Sequence, residues 1–243
     1  MISIYRACSY EMDKSQFNNT RPEWYDKKDC FLSFYQSWTN HLKPEDIHIV
    51  FDGSDTEELA KYIQAFKIGS FLAIDQKEKE TFLSAHKGDL ALLKSYEVAE
   101  KIDFDSVYFI EDDYMHTPDA IKVLDGGLKN FKNVLFTLYD HPDRYTRTDD
   151  ITKGQEQVLV SQDCHWRTAE STTCTFAMTK EVFDFVKNDL RMFKMEDRDL
   201  WRYLFNRHQM RLLTPMPGKS THVNKFFMTP FFEVEDPKTN QRN

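Results

Sequence analysis

The sequence predicts an α/β protein: an open, mostly parallel sheet flanked by helices, with a smaller antiparallel extension in the C-terminal half. Two observations predict it. Up to about Tyr139, short apolar runs alternate with amphipathic helical patterns in the order β-α-β-α-β-α-β-α-β. One of those runs, Val107 to Ile110, is apolar without interruption, which suits a strand covered on both faces. With 40% apolar and 14% aromatic residues, the 243-residue chain can fill one large core. We therefore expect a single domain over 1–243, in which 1–139 is the ligand-binding half and 140–243 carries a second substrate and the tail.

Taken in order, Ile2 to Ala7 reads as the first strand. Pro22 to Leu42 reads as a helix, because Phe31, Phe34, Tyr35, Trp38 and Leu42 share one 3.6-period face before Pro44. "IHIVFDGSD" is a strand entering a Gly turn, and Ser54 three residues before Glu57 is a capping-box pattern for the next helix. Phe71 to Ile74 gives a strand, Gly88 to Ile102 a helix and Ser106 to Ile110 a strand. Thr117 with Pro118 suggests another helix start, and "NVLFTLYD" a further strand. The polar stretch Asp140 to Gln157 has neither periodicity and reads as a long loop. Beyond it, "QVLVS" and "TTCTFAMT" read as strands, and Val182–Leu190 and Glu196–His208 as helices.

Composition excludes several functions. Thirty-two basic against forty acidic residues give a net charge of −8 with no basic stripe, which argues against a nucleic-acid partner. No window approaches a transmembrane span, and the first residues, "MISIYRACSYE", lack a signal-peptide pattern, so the expectation is a soluble, cytoplasmic protein. Four cysteines without a CxxC pair suggest reduced thiols rather than disulfides or zinc.

The chemistry gathers where apolar strands end in acids. Glu111, Asp112 and Asp113 are consecutive, and like charges about 4 Å apart repel by roughly 4 kcal/mol at an effective dielectric near 20. Such a cluster is rewarded if it shares a Mg²⁺ or Mn²⁺ ion with a substrate phosphate, although a solvated turn favouring the following helix start would also tolerate it. Asp52 closes another strand at a Gly turn, where it could accept hydrogen bonds from a ribose or base, or simply make the turn. Glu196 and Asp197 open an amphipathic helix. There, acids are ordinary, yet one of them could take a proton from an attacking hydroxyl. His222 is a candidate metal or phosphate ligand and Lys219 a candidate diphosphate contact, on position alone.

Together these motifs resemble those of nucleotide-sugar-dependent glycosyltransferases of the GT-A fold. "FDGSD" resembles the family's strand-end turn whose Asp contacts the nucleotide, which implies a donor-binding role for Asp52. "FIEDDYMHTPDA" resembles the DxD motif in its Glu-Asp-Asp form. The resemblance implies Asp113 as the direct metal ligand, with Glu111 and Asp112 contacting the donor through water, ribose or sugar. "MEDRDLWRYL" resembles the acidic pair of inverting members, implying Asp197 as general base beside Glu196. A His near the end of the catalytic domain often completes the metal or diphosphate site, the role His222 would inherit. The resemblance thus implies a Mn²⁺- or Mg²⁺-dependent transfer of sugar from a nucleotide-diphosphate donor to a carbohydrate or other hydroxyl-bearing acceptor.

Three other readings stay open. A nucleotidyltransferase would use a similar sheet, but "YRACSYEMDK" after the first strand has no phosphate-cradling glycine. A two-metal phosphoesterase would need a denser His/Asp set. A catalytically silent nucleotide-sugar-binding protein would keep the donor site alone. Trp166, Trp201, Phe226 and Phe227 are candidates for stacking on a sugar or for packing. The loop with Arg144 and Arg147 is a candidate cover for the donor.

Overall fold

The computed structural model describes residues 1–9, 20–82, 88–145, 157–229 and 232. Its main sheet has nine strands in the order β3-β2-β1-β4-β9-β6-β10-β8-β7. These are β1 (Ile2–Cys8), β2 (Ile47–Asp52), β3 (Ser70–Ala73), β4 (Ser106–Glu111), β6 (Val134–Phe136), β7 (Val158–Val160), β8 (His165–Ala169), β9 (Phe176–Thr179) and β10 (Arg211–Met216). The first four strands are mutually parallel. Beyond β4, β9 is antiparallel to both its neighbours, and β10 returns parallel to β6 before two antiparallel pairings close the edge. A separate two-stranded ladder joins β5 (Tyr114–His116) to β11 (Ser220–His222). This is the expected α/β class, with the antiparallel extension in the C-terminal half.

The alternation of side chains along a strand sends successive residues of β1 and β4 into two opposite cores. Ile2, Ile4, Val107 and Phe109 enter one core with α4 (Asp89–Glu100), α6 (Lys180–Phe193) and α7 (Asp197–His208). Tyr5, Ala7, Tyr108 and Ile110 enter the opposite core with α1 (Lys27–Thr39), α2 (Glu58–Gln64) and α5 (Ala120–Asn130). One further short helix, α3 (Gln76–Thr81), has no fully buried residue. Both faces are covered. No helix among the described residues is long and apolar enough to cross a membrane.

Several element boundaries differ from those read in the sequence. The first helix begins at Lys27, where Asp26 accepts a hydrogen bond from the Lys28 amide at 2.7 Å, and so residues 20–25 are left to run toward the acidic strand ends. Glu57 Oε1 accepts from the Ser54 amide at 2.6 Å, so half of the capping box forms, one residue before the helix. Asp119, not Thr117, stands at the start of α5, with the Thr117 hydroxyl bonded to its carboxylate at 2.7 Å. "TTCTFAMT" becomes a strand only from Phe176, because Thr173 and Cys174 adopt left-handed backbone, φ 46° and 58°. The strands β8, β10, β5 and β11 went unread. Pro215 sits opposite Trp166 within the β8–β10 ladder, although proline donates no ladder hydrogen bond. Of the expected long loop, residues 146–156 lie outside the described residues, as do Arg147 and the Arg144 side chain.

Candidate functional site

Parallel strands ending side by side build the site. Register pairs Cys8 with Asp52 and Arg6 with Glu111, so the carboxyl ends of β2, β1 and β4 form one rim, as in open sheets generally. Gly53 follows Asp52 because a Cβ there would meet Glu57 Oε1 at 2.6 Å and the Phe51 ring at 2.8 Å. Asp52 itself is buried and pairs with Lys79 at 2.5 Å.

The triplet separates its three acids, and each finds its own cation. Glu111 stays on the side of Val107 and Phe109 and lies 3.4 Å from Arg6, whose guanidinium also donates to the Cys174 carbonyl. Asp112 takes the Lys27 ammonium at 3.0 Å and the Cys8 amide at 2.8 Å. Asp113 Oδ2 lies 2.6 Å from Arg21 and 2.9 Å from His222 Nε2. The repulsion inherent in the sequence is thus offset by protein cations drawn from β1, α1 and the segment before it.

Burial and pairing set the protonation of these groups. Burial pushes the Glu111 carboxyl up to about 7 against the pull of Arg6, and it raises Asp112 despite Lys27. Burial acts in the same upward sense on Asp113, but His222 and Arg21 outweigh it and hold that carboxyl well below the ordinary range. The Cys8 thiol, 3.1 Å from Lys27 Nζ, is pushed up to about 12 by burial and Asp112, so it stays a thiol near neutral pH.

Asp113 and His222 form the pair best suited to a hard divalent cation. Asp113 Oδ1 is buried and has no hydrogen-bond partner among the described residues. A carboxylate plus an imidazole, completed by water and substrate phosphate, is chemistry that Mg²⁺ or Mn²⁺ accepts. Among the described residues, no three His, Cys, Asp or Glu side chains are grouped so as to hold a metal by themselves. The residues fit an ion that arrives with its phosphate ligand, once Arg21 yields its place.

The acidic pair divides. Asp197 accepts from Ser171 Oγ at 2.5 Å, the Thr172 amide at 2.9 Å, the Thr173 amide at 3.1 Å, the Cys174 amide at 3.3 Å, Trp201 Nε1 at 2.6 Å and the Thr172 hydroxyl. The left-handed residues Thr173 and Cys174 turn successive amides inward, a concavity that binds an anion. Six donors exceed the roughly four lone-pair directions of a carboxylate, so Asp197 anchors this turn and has no lone pair left for an acceptor proton. The expectation of Asp197 as general base rests on the resemblance alone; in the structure its carboxylate is the anchor of this turn. Glu196, beside it, has an exposed side chain.

Lys219 is held apart from His222. Its ammonium meets Asp119 at 2.7 Å, at the start of α5. The ladder puts His222 opposite Tyr114 and Ser220 opposite His116, so Lys219 stands about 10 Å along the strand from His222, at roughly 3.3 Å per residue. Of the candidate aromatics, Trp166 and Trp201 are buried, whereas Phe226 and Phe227 are exposed. Arg6 had a readable signal, a charge on the buried face of an apolar strand; Arg21 and Lys27 had none.

No family model matches the chain, and none of the curated proteins matches it. Among solved structures, it is similar to glucosyl-3-phosphoglycerate synthase from Mycobacterium tuberculosis in complex with Mg²⁺ and uridine-diphosphate, with a TM-score of 0.49 and 12% identity over 91% of this chain and 71% of that one. It is similar to CMP:2-keto-3-deoxy-manno-octonic acid synthetase complexed with CTP, with a TM-score of 0.49 and 12% identity over 90% and 92%. A mycobacterial protein gives a TM-score of 0.45 and 15% identity over 88% of this chain, which spans 65% of the length of that one.

Proposed function

We propose that this chain is a cytoplasmic, metal-dependent glycosyltransferase that moves a sugar from a nucleotide-diphosphate donor to an acceptor hydroxyl with inversion. The observation that carries the reading is Asp113, with one buried unpartnered oxygen and the other against His222, at the rim shared with Asp52. Asp113 and His222 would hold Mn²⁺ or Mg²⁺, which when bound supplies charge that stabilises a departing nucleotide diphosphate. Arg21 leaves Asp113 for the donor phosphates, to which guanidinium binds well. Asp52 accepts from the nucleoside, and Glu111, held near neutrality by burial, offers either a donor or an acceptor to the sugar. Glu196 takes the acceptor proton as the hydroxyl attacks the anomeric carbon, while Asp197 fixes the turn beside it.

The test is thermal unfolding against a panel of nucleotide diphosphates and nucleotide sugars, each with Mn²⁺, with Mg²⁺ and with chelator. Ligand at about 100 times its Kd adds roughly 2.7 kcal/mol and should raise Tm by about 5–10 °C. A shift for one base that needs metal and is lost in Asp113→Ala supports the reading; no shift across the panel removes it.

One observation favours a second reading, a nucleotide-sugar-binding protein without turnover. Each acid of the triplet already carries a protein cation. In that case the panel gives shifts that survive chelator, and no donor is consumed.

A further inference from the structure

A cavity of about 550 Å³ opens between α7 and the sheet, on the face opposite α1 and within the usual range for small-molecule sites. Leu135 of β6 and Leu212, near the beginning of β10, line it together with Trp201 and Leu204 of α7. Since β6 and β10 enter the sheet there, the cavity lies away from the rim of Asp52 and Asp113, where strands leave it. The turn held by Asp197 separates the two regions: Glu170, immediately before it, and Trp201, bonded to Asp197, both line the cavity.

The charges around this apolar interior are unequal. Among the described residues, two arginines, Arg202 and Arg211, line it against one acid, Glu170. Arg202 Nε is buried with no hydrogen-bond partner among the described residues, although its side chain as a whole is 37% exposed, and the nearest described carboxylate, Asp199, is 4.0 Å from its Nη1 and 65% exposed. Arg211 lies over the ring of Phe205, another lining residue, at 5.8 Å. A buried guanidinium N–H without an acceptor is costly, and an anionic group entering the cavity would relieve it while the leucines and Trp201 cover an apolar body.

From this we infer a second binding site, for a small amphipathic anion: an aromatic or aliphatic body carrying a carboxylate, sulfonate or phosphate that meets Arg202 and Arg211. It is independent of the transferase reading and requires neither metal nor nucleotide.

The probe is 8-anilinonaphthalene-1-sulfonate, with uncharged N-phenyl-1-naphthylamine as its neutral counterpart, titrated into the folded full-length chain by fluorescence and calorimetry. The expected result is one saturable site for the anion, weakened about tenfold in Arg202→Gln and again in Arg211→Gln, with the neutral dye bound alike by all three proteins. Anion binding unchanged in both variants, or absent from the wild type, overturns the inference. Should a variant fail to fold, a crystal structure of the wild type with the sulfonate decides: the naphthyl ring between Trp201 and Leu212 supports the site, and any other position refutes it.

Discussion

Asp113 and His222 stand 109 residues apart in the chain, yet the carboxylate Oδ2 and the imidazole Nε2 are 2.9 Å from each other. The contact follows from the β5–β11 ladder, in which His222 is directly opposite Tyr114, the neighbour of Asp113. Arg21 completes the group at 2.6 Å from the same oxygen. On the proposed function a metal ion and Arg21 would compete for Asp113, and that competition can be measured.

Replacing Arg21 with Gln should tighten Mn²⁺ binding while destabilising the metal-free protein. In chelator, Tm should drop by roughly 2–4 °C, corresponding to about 1 kcal/mol for a partly exposed ion pair in a domain of this size. Mn²⁺ should restore more of that loss than it adds to the wild type. Equal Mn²⁺ responses in the two proteins would mean that Arg21 and the ion do not share Asp113.

Asp197→Asn and Glu196→Gln should behave differently. The Asn side chain presents an NH₂ to donors that surround Asp197, so unfolding in urea should show a loss of about 2–3 kcal/mol. Glu196→Gln, at an exposed position, should leave stability within about 0.5 kcal/mol and abolish sugar transfer. Full transfer by Glu196→Gln would return the proton to another acceptor.

His116 should shape the acid limb of stability. Burial lowers its pKa from 6.5 to about 3, and its Nε2 meets the Tyr108 hydroxyl at 2.9 Å. A histidine depressed in the folded state contributes stability that is present above about pH 6.5 and lost as pH falls toward 3, because the unfolded chain binds the proton first. Between pH 7 and 4.5 the wild type should lose roughly 2–3 kcal/mol more than His116→Gln. Parallel pH profiles for the two would show that His116 is not the group responsible.

Gly127→Ala should destabilise despite the better helix propensity of alanine. A Cβ at Gly127 would lie 2.7 Å from Trp166 Cζ2 and 3.0 Å from Phe136 Cε1, both in the buried core. Overpacking of this kind costs about 1–3 kcal/mol, which exceeds the roughly 1 kcal/mol gained in the helix. Equilibrium unfolding would read the sign.

Lys219→Met should leave nucleotide binding unchanged, since its ammonium is held by Asp119 at the far end of the ladder. A tenfold loss of affinity on calorimetry would bring Lys219 back to the donor.

The sequence by itself determined the alternation of strands and helices and the two-faced burial of β4. It also put Asp52 and the acidic triplet at strand ends, because these depend on local periodicity: side chains alternate every two residues along a strand, and a helix repeats every 3.6. Only the tertiary structure decided which cation meets which acid. Arg21, Lys27 and His222 reach the triplet across contacts remote in sequence, and nothing in the local pattern near any of them signals a partner. The same holds for Asp197, whose place at a helix start is legible, whereas its enclosure by Ser171 to Cys174 depends on two left-handed residues in a distant turn. Lys219 shows the converse: close to His222 in the chain, it is carried to the other end of a strand by register alone.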